Sequence, residues 1–351
     1  MSGTERTMVE KIADAVLYEG YMLYPYRASS VKNKQRFNWG ALAPKAYSDA
    51  QNGTEAFEMR TQCLIQGDTE MEVSVKVRFL HLMNREIGRI AGPSNEIPDD
   101  LEFVSSLDID GELYQAWQEV VEQNIEITAI RPGDTTLITP FSFAAGRDVE
   151  PIKNKDGKIA GAIVRTRREI MGEIETRIES DASAPAKLTL IVRNTTPLGT
   201  AADATRDEAL LSSCVSTHSI FNVSNGAFVS LLEPPDEFAA AAASCENKGA
   251  FPILVGTAGE RDCMLSSPII LYDYPEIAPE SPGDLFDSTE IDEILTLRIM
   301  TMTDQEKREM RAIDERARKI LERTEFMTDD QFLNMHGTLR GMERSKRAGN
   351  G

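Results

Sequence analysis

The chain has 351 residues, 57 acidic and 38 basic, for a net charge of −19, with 41% hydrophobic and 27% charged side chains. That length holds two packed units or one large one, and the balance is that of a globular protein rather than a disordered one. So negative a chain is a poor binder of nucleic acid or anionic membrane, and no apolar run reaches the roughly 20 residues that span a bilayer.

The first residues carry Glu5, Glu10 and Asp14 and no uninterrupted apolar stretch, so they do not read as a secretory signal. Cys63, Cys214, Cys245 and Cys263 are widely spaced with no CxxC pair, which suits reduced, buried thiols. The expectation is a cytoplasmic protein without membrane insertion.

Residues 7–18 predict a short amphipathic helix, with Met8, Ile12, Ala15 and Val16 on one face. Residues 20–48 then hold Arg27, Lys32, Lys34, Arg36 and Lys45 without an acid, interleaved with Tyr21, Tyr24, Tyr26, Phe37 and Trp39. Cations supply attraction to anions, and rings supply rigid contact area at low entropic cost. Three readings stand: a nucleic-acid surface, which the net charge disfavours; an anion or small-ligand site; and a packing and docking element for protein, which the composition favours.

Alternation with period 2 follows. Phe57, Met59, Thr61, Cys63 and Ile65, then Met71, Val73, Val75, Val77 and Phe79, flank a Gly67-Asp68 turn signal and predict a hairpin. Residues 113–130 read as strand, with Trp117 to Val121 open to one turn of helix. From Ala162 to Ile178 a long strand is predicted, and Leu188, Leu190 and Val192 continue the alternation as its hairpin partner. Small polar residues at 195–207 suggest a module boundary. Beyond it, Asn225-Gly226 reads as a hairpin turn, Asp236 to Asn247 as an alanine-rich helix closed by Gly249, and FPILVG and SSPIILYDY as buried strands.

The last 65 or so residues read as helical. Thr289 with Asp292 opens one helix, and Thr303–Glu306 and Thr328–Gln331 are capping boxes for two more. The fold expected is α+β: an antiparallel β-rich body, sandwich-like or a bent sheet, with a helical C-terminal module. Residues 1–200 form the β-rich module with its N-terminal helix and basic-aromatic loop, and 201–351 a mixed segment ending in helices.

Between Asp273 and Glu293 stand eight carboxylates and no base, including Asp284, Asp287 and Glu290, held non-helical by Pro275, Pro279 and Pro282. Three readings compete: a solvated strap ahead of a helix N-terminus, an electrostatic interface, and a hard-cation site, although no EF-hand core is present. Cys214 and His218 share an i, i+4 spacing, but Ser, Val and Thr around them favour strand, where that spacing stands ~13 Å apart. His81 and His336 read as structural. The sequence contains no G-x-S-x-G, Walker A or G-x-G-x-x-G pattern, and no cofactor or metal ligand set is assigned.

The strings LYEGYMLYPYRASSVKN, NGAFVSLLEPP, SSPIILYDYPEIAPESPGDLFDSTEIDEILTLR and TDQEKREMRAIDERA together resemble an uncharacterised bacterial protein family associated with NiFe hydrogenase gene neighbourhoods. The resemblance runs over nearly the whole chain and brings no catalytic or ligand residues with it. It implies an assembly factor, an accessory subunit or a small-molecule enzyme serving a hydrogenase, with a hydrogenase subunit as partner.

Scaffold or docking work is the preferred reading, because neither the His or Cys clusters of a nickel carrier nor the cysteine ligands of a redox subunit are in the chain. The contact residues it selects are Tyr24, Tyr26, Arg27, Lys32, Arg36 and Trp39, with Asp284, Asp287 and Glu290 as a second surface. The alternative is a metal-dependent enzyme using the Asp273–Glu293 strap. A homo-oligomer joining the basic segment of one copy to the acidic strap of another is a third reading.

Overall fold

The computed structural model of the protein describes residues 3–18, 39–181, 184–199, 203–276, 299–312 and 315–326. Strand makes up 51% and helix 17%, so the expected α+β fold gives way to a mostly antiparallel β protein built on one large sheet. A helical C-terminal module is not shown. Beyond residue 276, only 299–312 and 315–326 are described, and they hold the helices α5 (Asp304–Arg311) and α6 (Glu315–Glu325). Capping boxes are local signals, and they start helices without assembling them into a unit. The Thr303–Glu306 box does open α5 as its spacing predicts. The helix starts expected at Thr289 and Thr328 lie outside the described residues.

The sheet is organised by one strand. β1 (Glu58–Ser94) runs for 37 residues and is flanked on both sides along most of its length. On one side it pairs with β10 (Ala184–Asn194) through residues 58–65, then with β5 (Trp117–Ile130) through 73–85 and β2 (Glu102–Val104) through 87–89. On the other side lie β11 (Cys214–Val229) and, further on, β8 (Ile159–Arg167).

The predicted hairpin at Gly67-Asp68 is therefore not a turn. Gly67 pairs with Gly226 and Glu72 with Ser224, so residues 68–71 bulge out opposite Asn225. The Asn225-Gly226 turn signal belongs to the same feature, because β11 also runs through it without reversing. Asn225 takes a left-handed φ of 55°, and a Cβ on Gly67 would come within 3.0 Å of the Asn225 carbonyl oxygen. Two long strands bend together where both carry turn chemistry and a close backbone approach.

The strand expected from 162 to 178 is likewise two elements. β8 pairs with β1 and with β7 (Gly146–Lys153), whereas β9 (Ile170–Asp181) pairs with β10 and with β6 (Leu137–Phe143). The β9–β10 antiparallel pair matches the alternation, placing Val192 opposite Ile174 and Leu188 opposite Ile178. β12 (Phe251–Leu254) and β13 (Cys263–Ser267) finish the sheet beside β11, and of SSPIILYDY the part after Ser267 is not strand. β3 (Ser106–Ile109) and β4 (Glu112–Gln115) form a separate hairpin. The sheet crosses residue 200 without interruption among the described residues, since β1 is bonded to both β10 and β11.

Met59, Cys63 and Ile65, then Met71, Val73, Val75, Val77 and Phe79 of β1 meet Ile174, Leu190, Phe221, Phe228 and Met264 in one buried cluster, so the sheet curls around its own inner face. Its outer face over β11–β13 is covered by α1 (Gly3–Tyr18), whose Val9, Ile12, Ala13 and Val16 pack on Ile220, Ile253, Val255 and Leu265. Each fully buried aliphatic side chain there contributes roughly 2 kcal/mol. A smaller core of Ile87, Ile152 and Ile163 serves the far end of β1. The short helices α2 (Lys45–Ala50), α3 (Arg206–Leu210) and α4 (Ala239–Ala243) cover edges, the last being all that the alanine-rich stretch forms beyond a 3-10 turn. No described helix is long and apolar enough to cross a membrane.

Candidate functional site

β11 carries a second irregularity. Arg78 pairs with His218 and Leu80 with Val215, so Ser216 and Thr217 together face Phe79 alone. Ser216 adopts φ 55°, which turns its N–H and that of Thr217 outward. These groups donate to the Trp39 and Gly40 carbonyls at 3.0 and 3.1 Å, and Leu42 and Cys214 exchange two further backbone bonds. The basic-aromatic stretch of sequence is thereby stitched at its C-terminal end to the bulge.

Gly40 sits at φ 54°, and a Cβ on it would lie 2.7 Å from the Pro268 ring, a position only glycine fills without strain. Pro268 opens the stretch that leads into the acidic residues. From there the side chains alternate: Ile269 and Leu271 pack into the α1 cluster, while Ile270 and Tyr272 are 73% and 87% exposed. Trp39 is 47% exposed. The end of the basic-aromatic segment and the approach to the acidic one thus meet at one corner, with three large apolar side chains presented from their backbones.

Of the residues singled out from the sequence, Trp39 lies at this corner. Tyr24, Tyr26, Arg27, Lys32 and Arg36 lie outside the described residues, as do Asp284, Asp287 and Glu290. Asp273, the first carboxylate of the acidic stretch, accepts the Ser230 hydroxyl at 2.5 Å and the Leu254 N–H at 2.8 Å. It clamps the extended segment to β12. Among the described residues, no group of three or more His, Cys, Asp or Glu side chains is arranged to hold a metal.

The nucleophiles and bases are committed elsewhere. Cys214 points into the main core, where burial raises its thiol, and burial does the same for Cys63, Cys245 and Cys263, the last to about 12. Such thiols stay protonated and poorly nucleophilic at neutral pH. His218 is fully buried on the outer face, its Nδ1 3.0 Å from the Ser216 carbonyl oxygen. Burial, against the help of that bond and together with Arg78 and Lys76, lowers it to about 3. Cys214 and His218 therefore sit on a strand and do not form a thiolate–imidazolium pair. His81 is buried too, with Nε2 2.8 Å from the Arg168 carbonyl oxygen, and burial lowers it. His336 lies outside the described residues.

Two residues that carry much of the polar architecture were missed by motif reasoning. Arg78, 6% exposed, donates to Asp14 of α1 at 2.6 Å and to Glu122 of β5 at 3.3 Å, and the Tyr18 hydroxyl donates to the same Glu122. Arg85, 8% exposed, donates to the Gln115 carbonyl, to Glu119 and to the Ala312 carbonyl that ends α5. The only signal for either was an arginine inside a half-buried strand pattern, where charge is retained only when paired. No protein-family model matches the chain, and no curated protein matches it either.

Proposed function

We propose that this protein is a non-catalytic accessory or assembly factor that works by protein–protein contact from the Trp39/Ile270/Tyr272 corner. The observation that supports the reading is the seating of Gly40 against Pro268, which brings the exposed Trp39, Ile270 and Tyr272 to one corner of the described structure. Aromatic anchors of this kind dominate binding energy at interfaces. The resemblance described above suggests a subunit of a NiFe hydrogenase system as partner and a cytoplasmic setting for the encounter.

The test is a low-salt affinity isolation from cells that make such a hydrogenase, comparing wild type with a Trp39→Ala/Tyr272→Ala double variant. Tyr272 is almost wholly exposed and Trp39 about half exposed, and a cooperative thermal melt of the variant checks that the fold is kept. Recovery of a hydrogenase subunit with wild type, reduced at least about tenfold by the variant, supports the reading, since each aromatic anchor is worth about 1–2 kcal/mol or more. Equal recovery by both proteins, or no hydrogenase subunit with either, defeats it.

A further inference from the structure

Three strands of the sheet have one ladder neighbour and one proline each. β6 and β12 end the ladder, β7 pairs with β8 alone, and they hold Pro140, Pro252 and Pro151. The open side of such a strand offers N–H and C=O groups on which another chain can add a strand, and proline is tolerated there with its missing N–H facing outward. The backbone bonds give that direction in all three. Asn194 donates its N–H to the Phe57 carbonyl and Thr195 to the Met171 carbonyl, both at 2.9 Å. Backbone groups alternate sides along a strand, so Met171, Glu173 and Glu175 direct theirs towards β10. Their β6 partners Ser142, Pro140 and Ile138 therefore direct theirs away from β9. On β12, Pro252 lies two residues before Leu254, whose N–H and carbonyl turn outward to Asp273 and Tyr274 at 2.8 Å each. On β7, Asn154 donates to the Lys158 carbonyl at 2.8 Å, which puts Ile152 on the β8 side and Pro151 on the open one. β5 also has β1 as its one ladder neighbour and lacks proline; Glu119, Glu122 and Glu126 charge it instead.

Among the three, β6 is the one that depends on its proline. Asp273 and Tyr274 already occupy the open side of β12, and β7 exposes Arg147, Asp148 and Glu150. β6, LITPFSF, has no charged residue, its Leu137 and Ile138 are exposed, and among the described residues no backbone bond reaches its open side. We propose that Pro140 is the block that keeps β6 from pairing with the β6 of a second copy. The strand is its own complement. An antiparallel, two-fold pairing that uses all seven residues sets Ile138 against Ser142 in both directions and Pro140 against itself. At that central pair neither copy has an N–H to give, so both ladder bonds are lost where the two-fold axis passes.

Pro140→Thr tests this, because the position is exposed and threonine supplies the N–H together with a preference for strand. Sedimentation velocity over a concentration series reads association, and amide exchange in the associated form locates it. The variant should associate at a concentration at least about tenfold below any at which wild type does, through the two restored ladder bonds. Amides at positions 138, 140 and 142 should be the ones slowed. Pro140→Thr/Ser142→Pro, which moves the proline to the next outward position, should return the protein to wild-type behaviour. Identical sedimentation of Pro140→Thr and wild type would overturn the proposal. So would association that protects amides elsewhere, or that persists undiminished in the double variant. A Pro140→Thr protein that no longer melts cooperatively would count against it too, since the proline would then be serving the fold and not its margin.

Discussion

His218 shows how a single side chain ties the bulge to solution conditions. Its ring is fully buried, its Nδ1 bonds the Ser216 carbonyl, and Arg78 stands opposite it across the strand pair, with Lys76 also lowering its proton affinity. The folded protein holds the ring neutral down to about pH 3, whereas the unfolded chain protonates it near its ordinary value of 6.5. Above that value both states are neutral and nothing is lost. As pH falls from about 6.5 towards 3, the unfolded chain binds a proton that the folded one refuses, and stability drops by up to ~1.4 kcal/mol per pH unit. His218→Asn should therefore flatten the urea midpoint's dependence on pH between 6.5 and 4, whatever it does to stability at pH 7. An unchanged slope would mean that His218 is not the group responsible. The chemistry of this residue was only half legible: Ser, Val and Thr around Cys214 point correctly to strand, but the Ser216 bulge is bonded through its backbone to Trp39, far off in sequence.

At the scale of elements, the side-chain period was read more faithfully than the connections. The odd residues from Met59 to Ile65 and from Met71 to Phe79 do face one core, as their alternation predicts. What joins them is a bulge in one strand, because Gly67-Asp68 and Asn225-Gly226 meet each other rather than each reversing the chain. Turn chemistry is local, whereas strand continuation depends on a ladder partner some 160 positions away, so no window of sequence decides between them. α1 offers the sharper test of element-level energetics. Its apolar stripe seats it, and Arg78 fixes it by binding Asp14 while sharing Glu122 with Tyr18. Arg78→Met leaves the apolar stripe intact but strips both carboxylates of their cation. A loss of about 1–2 kcal/mol is expected, because Asp14 and Glu122 are partly solvated, with faster amide exchange confined first to residues 8–18. Exchange that rises equally in β10 and β13 would show that α1 does not depend on this arginine.

For the whole molecule, the question is whether the compositional change near residues 195–207 divides the protein. The buried cluster answers through its membership: Leu188, Leu190 and Val192 precede the change, Phe221, Phe228 and Met264 follow it, and all pack on β1. A boundary in composition need not be a boundary in cooperativity when one strand is bonded to both sides. β10 and β11 flank β1 on opposite edges at the same two residues, Leu64 and Ile65, so melting either one leaves that part of β1 held from one side only. Segments 186–192, 219–223 and 263–267 should therefore lose amide protection at one common denaturant midpoint. Phe79→Ala, which opens a cavity against Phe141 and Phe143, should move all three together by about 3–5 kcal/mol. Midpoints that separate on either side of residue 200, or a Phe79→Ala shift felt on one side only, would mean that β1 joins two units that fold independently. A common midpoint makes β1 the spine through which the Trp39 corner and the hydrogen bonds of Arg85 share a single folding equilibrium.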